Sequence, residues 1–184
     1  MASGTGSNAR AILEHLSDSS EIQISLLLSN KSTSGVKNLS EEFGIPYIIF
    51  SKQEFKDEAF LLGQLKKHNV DFIILAGFLW LIPEYLVEAY PDKILNIHPS
   101  LLPKYGGRGM YGSNVHQAVF ESKDKISGLT IHIVNQNYDE GQVVFQKEVN
   151  IEDCLSPDEI ATKVLRNEHE FYPKVATEYI LNFK

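Results

Sequence analysis

Leu95-Asn96-Ile97-His98-Pro99-Ser100-Leu101-Leu102-Pro103 puts two polar side chains at the end of an apolar strand. Ile94-Leu95 and Ile97 read as the close of a buried strand, and Pro99 and Pro103 stop it from continuing. Asn96 and His98 stand two residues apart, so on a strand both point to one face. In open α/β sheets, ligands bind where strands give way to loops at their carboxyl ends. An amide donor and an imidazole aimed at one point can stabilise a developing oxyanion and move a proton, which suits acyl transfer better than hydride or phosphoryl transfer. Taken alone, such a pair serves equally to cap a loop or to satisfy buried backbone groups.

On the amino side of this stretch, short apolar runs alternate with helical segments. Residues 22–28, 47–50, 72–76 and 94–97 read as strands, and 8–16, 35–43, 53–68 and 82–89 as helices. Such alternation predicts an α/β fold with a mostly parallel sheet covered by helices on both faces. On the carboxyl side the pattern changes to a glycine-rich loop over 104–112, a helix near 114–121 and strands over 129–134 and 143–151. The turn-rich segment 135–141 between those strands predicts an antiparallel addition at one side of the sheet. Ser156-Pro157-Asp158-Glu159 reads as a capping box with proline at the first helical position, opening a helix that is bent near Pro173. There is no repeat, low-complexity tract or linker, so residues 1–184 read as one domain.

A chain of 184 residues can bury roughly 70% of the surface its unfolded form exposes, enough for a self-standing core. The formal net charge is −7, and the 17 lysines and arginines are scattered instead of forming a stripe, which argues against a nucleic-acid partner. The single cysteine, Cys154, has neither a disulfide partner nor a metal-spaced companion. No stretch approaches the roughly 20 apolar residues of a membrane span, and the first residues lack the apolar core of a signal peptide. These features point to a cytoplasmic protein with no membrane partner; small-molecule substrates and a monomer or homodimer are the accompanying expectation, which composition itself does not give.

Gly4-Thr5-Gly6-Ser7-Asn8-Ala9 satisfies G-x-G-x-x-G/A and leads into a helix, so its backbone N–H groups can cradle a phosphate. A dinucleotide site also wants an acidic residue about 20 positions on, at the end of the second strand, to hold a ribose. The chain reads Ser29-Asn30-Lys31 there, which favours a monophosphate over a dinucleotide and disfavours an oxidoreductase. Only Met1-Ala2-Ser3 precede the loop, where a strand of about 5 to 6 residues is expected. The first strand therefore reads as cut short, and the chain as a truncated version of a longer product.

Four separated motifs, in order, resemble those of the 10-formyltetrahydrofolate-dependent formyltransferases: the glycine loop, the stretch from Leu95 to Pro103, Ile131-His132-Ile133-Val134 with its Asn135-Gln136-Asn137-Tyr138-Asp139-Glu140-Gly141 continuation, and Asn167-Glu168-His169-Glu170-Phe171-Tyr172-Pro173. The resemblance implies a Rossmann-like fold and transfer of a formyl group from 10-formyltetrahydrofolate, as co-substrate and without a metal, to the amine of glycinamide ribonucleotide in purine biosynthesis. By the same resemblance, Asn96, His98 and Asp139 are catalytic. Gly4, Thr5, Gly6, Ser7 and Asn8 hold the acceptor phosphate, and Pro99 and Glu168 complete the acceptor site. Leu79, Trp80, Leu81, Ile82, Val134, Asn135 and Gln136, with Asn96 and Asp139, line the folate pocket. Trp80 stands where relatives often carry arginine, so an aromatic plane replaces a cation there. A carboxylate at Asp139 is expected to raise the pKa of His98 above about 6.5. A metal site of His98, His132 and Asp139 matches no recognised ligand spacing. Two alternatives stay open on sequence: a sugar-amine formyltransferase, and a folate- and nucleotide-binding relative with impaired catalysis.

Overall fold

A computed structural model describes residues 1–183. The amino-terminal half alternates as the apolar runs require: α1 (Ser7–Leu16), β1 (Leu27–Ser29), α2 (Val36–Phe43), β2 (Tyr47–Ile49), α3 (Lys52–Lys56), α4 (Glu58–Lys67), β3 (Ile73–Leu75), α5 (Glu84–Ala89) and β4 (Ile94–His98). Then follow α6 (Ser113–Glu121), β5 (Ile126–Ile133), β6 (Val143–Asn150) and α7 (Pro157–Leu181). β1 pairs in parallel with β2, and β3 in parallel with β4; β5 and β6 add to β4 in antiparallel order, as the sequence pattern predicts.

Helices cover both faces because successive strand residues point opposite ways. Leu27, Leu95 and Ile97 pack with Ile12 and Leu13 of α1 and Tyr172 and Ala176 of α7. Leu28, Leu75 and Ile94 face the other core, with Phe55, Leu61, Leu65 and Leu86 from α3, α4 and α5. The helix expected over 53–68 is divided at Asp57, whose side chain accepts the Phe60 N–H at 3.0 Å and starts a new helix. A full capping box sits one helix earlier, at Ser51 and Glu54. At α7, Ser156 accepts from the Glu159 N–H, but Glu159 reaches back to the Leu155 N–H instead of that of Ser156. α7 continues through Pro173.

The strand expected over 22–28 is reduced to Leu27–Ser29. A strand persists only where a neighbour satisfies its backbone, and residues 1–3 are the extended segment beside it. Ala2 N donates to Leu28 O at 3.0 Å, Ser3 N to Gly77 O at 3.0 Å, and Ala76 N to Met1 O at 2.8 Å. These bonds bridge the β1–β2 pair to the four-stranded sheet and hold the glycine loop in place. Residues 22–26 instead run along a cavity of about 410 Å³ that Met1, Ile12 and Phe72 also line.

The Tyr172 hydroxyl lies 2.9 Å from Leu75 O and 3.1 Å from Leu95 O, tying α7 to the end of β3 and the start of β4. Tyr172→Phe is expected to cost about 1–2 kcal/mol of unfolding free energy, measured by urea denaturation, because two buried carbonyls lose a shared donor.

Candidate active site

β4 ends in Asn96 and His98, which leave the sheet on the face opposite Leu95 and Ile97. Antiparallel pairing sets Asn96 opposite His132 and His98 opposite Thr130. Thr130 then fastens the loop that follows β4: its hydroxyl donates to Ser100 O at 2.6 Å and accepts the Leu102 N–H at 3.0 Å. Tyr105, anchored through its hydroxyl to Asp124 at 2.8 Å, accepts a hydrogen bond from His98 Nε2 at 2.7 Å through its carbonyl. A carbonyl only accepts, so His98 carries its proton on Nε2 and keeps Nδ1 basic. That Nδ1 lies 3.4 Å from Asp139 Oδ2.

Asp139 reaches this place through a left-handed turn at φ 57°. Two residues on, Gly141 passes so close to β5 that a Cβ there would lie 1.6 Å from Ile133 O, which demands glycine. Gly107 N donates to Asp139 Oδ2 at 3.0 Å, so the glycine-rich loop closes onto the carboxylate. Burial alone pushes the Asp139 carboxyl up, but the adjacent His132 and His98 rings and the Gly107 N–H outweigh it and hold the group below its ordinary value. The expectation for His98 is reversed. Burial of its ring lowers the pKa, and the attraction of Asp139 and the bond to Tyr105 only partly offset that.

These groups open onto a cleft of about 960 Å³. Its lining includes Gly4, Thr5, Ser7 and Asn8; Gly6, at φ 82°, makes the left-handed turn that starts α1 and lies off the lining. Glu168 enters from α7, buried, with Asn8 Nδ2 donating to its Oε2 at 2.6 Å. Burial raises the Glu168 pKa, and the Asn8 bond opposes that. Asn8 Oδ1 is buried without a partner. An apolar wall is formed by Leu79, Trp80, Leu81, Ile82 and Val134. Trp80 leans on Phe55, with ring centroids 5.4 Å apart, and on Phe50 and Phe78, each at 6.1 Å.

The formyl transferase family model matches residues 1–176. The chain belongs to the formyl transferase family. It is 45% identical over 179 residues to the chloroplastic phosphoribosylglycinamide formyltransferase of Arabidopsis thaliana, covering 94% of this chain and 61% of that protein. A second plant relative, from Vigna unguiculata, is 41% identical, and the chain spans 57% of it. With the phosphoribosylglycinamide formyltransferase of Bacillus subtilis it shares 33% identity over 97% of this chain and 92% of that one. The crystal structure of phosphoribosylglycinamide formyltransferase from Bacillus halodurans superposes with a TM-score of 0.88 at 30% identity, covering 100% of this chain and 94% of that chain.

Within this formyl transferase fold, Asn96, His98, Pro99, Asp139 and Glu168 line the one cleft. Asn135 and Gln136 do not. Asn135 Oδ1 accepts the Asn137 N–H at 2.9 Å, and Gln136 turns away to Glu84 on α5 at 2.9 Å. The turn needs Asn135 for itself, and Asn137 and Tyr138 face the cleft in their place. Sequence reasoning assigned no role to Lys31, Arg108 or His116, which also line the cleft. Nor did it couple His132 to Asn96, although both lie on apolar strands with their polar residue at matching depth.

His116 is buried with Nδ1 unpartnered, and burial, aided by His98, lowers its pKa to about 4. Because the unfolded chain binds this proton more readily, the stabilising effect is complete above about pH 6.5 and is lost as pH falls toward 4. His98 acts in the same direction. His116→Gln is expected to lose less unfolding free energy than the parent between pH 6.5 and 4 in urea titrations; equal losses would contradict the assignment.

Proposed function

We propose that this chain is a phosphoribosylglycinamide formyltransferase, transferring the formyl group of 10-formyltetrahydrofolate to the amine of glycinamide ribonucleotide. The observation that carries this is the convergence of the Asn96 amide, the His98 imidazole and the Asp139 carboxylate in a cleft that is also lined by a phosphate-cradling loop and an apolar wall.

The acceptor phosphate sits on the N–H groups of residues 4–8 at the start of α1. Ser34 Oγ donates to Gly4 O at 3.0 Å and Gly35 N to the same oxygen at 3.2 Å, which holds the 31–35 turn against the loop and brings Lys31 to it as counter-charge. Glu168 and the free Asn8 Oδ1 accept from the glycinamide end. The amine attacks the formyl carbon. Asn96 donates to the oxyanion that forms, and His98, with the Asp139 carboxylate beside its Nδ1, takes the amine proton. Collapse breaks the bond to N10 of tetrahydrofolate, which receives that proton, so the chemistry needs no metal. Val134, Trp80 and their neighbours hold the pterin. The unpaired Cys154 supports a reducing compartment, which we take to be the cytoplasm.

Absorbance-monitored consumption of 10-formyltetrahydrofolate is expected to require glycinamide ribonucleotide. Asn96→Ala is expected to slow turnover by about two to three orders of magnitude, since one oxyanion donor is worth about 3–4 kcal/mol; a loss under about tenfold at saturation would remove Asn96 from that role. Trp80 is the chain's only tryptophan. Its fluorescence is expected to be quenched by a folate analogue and unaffected by the ribonucleotide alone, and absence of folate quenching would place the pterin elsewhere.

A further inference from the structure

His132 is among the most buried polar side chains of the molecule, 2% exposed, and takes no part in the chemistry above. Its two ring nitrogens have different neighbours. Nδ1 lies 2.9 Å from the carbonyl oxygen of Ile133, a group that only accepts, so Nδ1 carries the proton of the neutral ring. Nε2 then presents a lone pair. Asn96 Nδ2 is 3.1 Å from it, and because an amide nitrogen only donates, the bond runs from Asn96 to His132. The cross-strand register enforces the meeting, for the two residues sit opposite one another in the β4–β5 ladder. Asp139 Oδ1 lies 3.6 Å from the same Nε2, so the ring favours that carboxylate only when it carries a second proton; the neutral ring has no Nε2 proton to give and leaves its lone pair to Asn96.

A planar amide has two nearly isosteric orientations related by a half-turn, and only the partners around it choose between them. With Nδ2 toward the cleft, Asn96 offers an N–H to a developing oxyanion. With its oxygen there, it would repel that charge. The lone pair of His132 selects the first orientation: one Nδ2 proton is held by the ring and the other remains for the reacting oxygen. We propose that His132 is a positioning residue, a fixed-tautomer acceptor that sets the orientation of the Asn96 amide. The consequence for rate rests on the reading of Asn96 as the oxyanion donor; the tautomer and the hydrogen bond do not.

Two readouts on the full chain separate those layers. In 15N NMR of the parent at neutral pH, the His132 ring, assigned by its loss in His132→Gln, is expected to show a protonated Nδ1 and an unprotonated Nε2. A ring protonated on Nε2 overturns the proposal whether or not the chain turns over substrate. In steady-state kinetics, His132→Leu is expected to lower kcat by about 10- to 100-fold, part of what removing the donor itself costs, with little change in either KM. His132→Gln, whose side-chain oxygen restores an acceptor, is expected to recover most of that loss; His132→Ala, which removes the acceptor without adding bulk, serves in place of the leucine variant if that one does not fold. In an Asn96→Ala background, replacing His132 is expected to change kcat by less than about twofold, because coupled residues are not additive. An undiminished loss in that background would show that His132 acts independently of Asn96. If the parent fails to transfer formyl groups but retains the Nδ1–H tautomer, the functional reading falls and the positioning contact stands.

Discussion

The antiparallel ladder between β4 and β5 sets Asn96 against His132 and His98 against Thr130, and the geometry of the cleft follows from that register. Along β4, Ile94, Leu95 and Ile97 are buried in the two cores while Asn96 and His98 emerge at the end where the strand runs out. A slip of one residue would turn the polar pair into the layer beneath α1 and α7 and expose Leu95 and Ile97. Removing two apolar side chains from that core while burying an amide and an imidazole there without partners would cost several kcal/mol. The same packing that stabilises the fold therefore aims the site.

Around this strand end the loops are held by main-chain bonds more than by charge. Tyr105 O, Ile133 O and Gly107 N each define one side of a titratable group. That arrangement leaves two imidazoles flanking one carboxylate in a space from which water is largely excluded. Burial works against charge on His98 and on Asp139. Asp139 stays below its ordinary pKa because it has three favourable neighbours, whereas His98, with burial dominant, is biased toward the neutral ring able to receive a proton.

Much of this was legible in the sequence because short-range rules were sufficient. The period-two spacing of Asn96 and His98, the proline stop after them, the glycine loop before α1 and the turn before Gly141 each depend on residues close in the chain. Three of the misreadings share a cause, namely dependence on distant neighbours. Residues 22–26 have strand composition but no ladder partner, so only Leu27–Ser29 pairs. Gln136 sits in the motif yet points to Glu84 because α5 lies beneath it. The sign of the His98 shift was set by how deeply the ring is buried, a quantity that proximity to a carboxylate does not reveal.

The sequence by itself determined the α/β alternation, the antiparallel addition, the polar pair at a strand end and the membership that four ordered motifs announce, since propensity, patterning and turn chemistry are local. Only the tertiary structure decided which way the amide and the rings face. Hydrogen-bond direction depends on donors and acceptors supplied from elements far apart in the chain: His132 from β5 for Asn96, and Asn8 from α1 for Glu168 on α7.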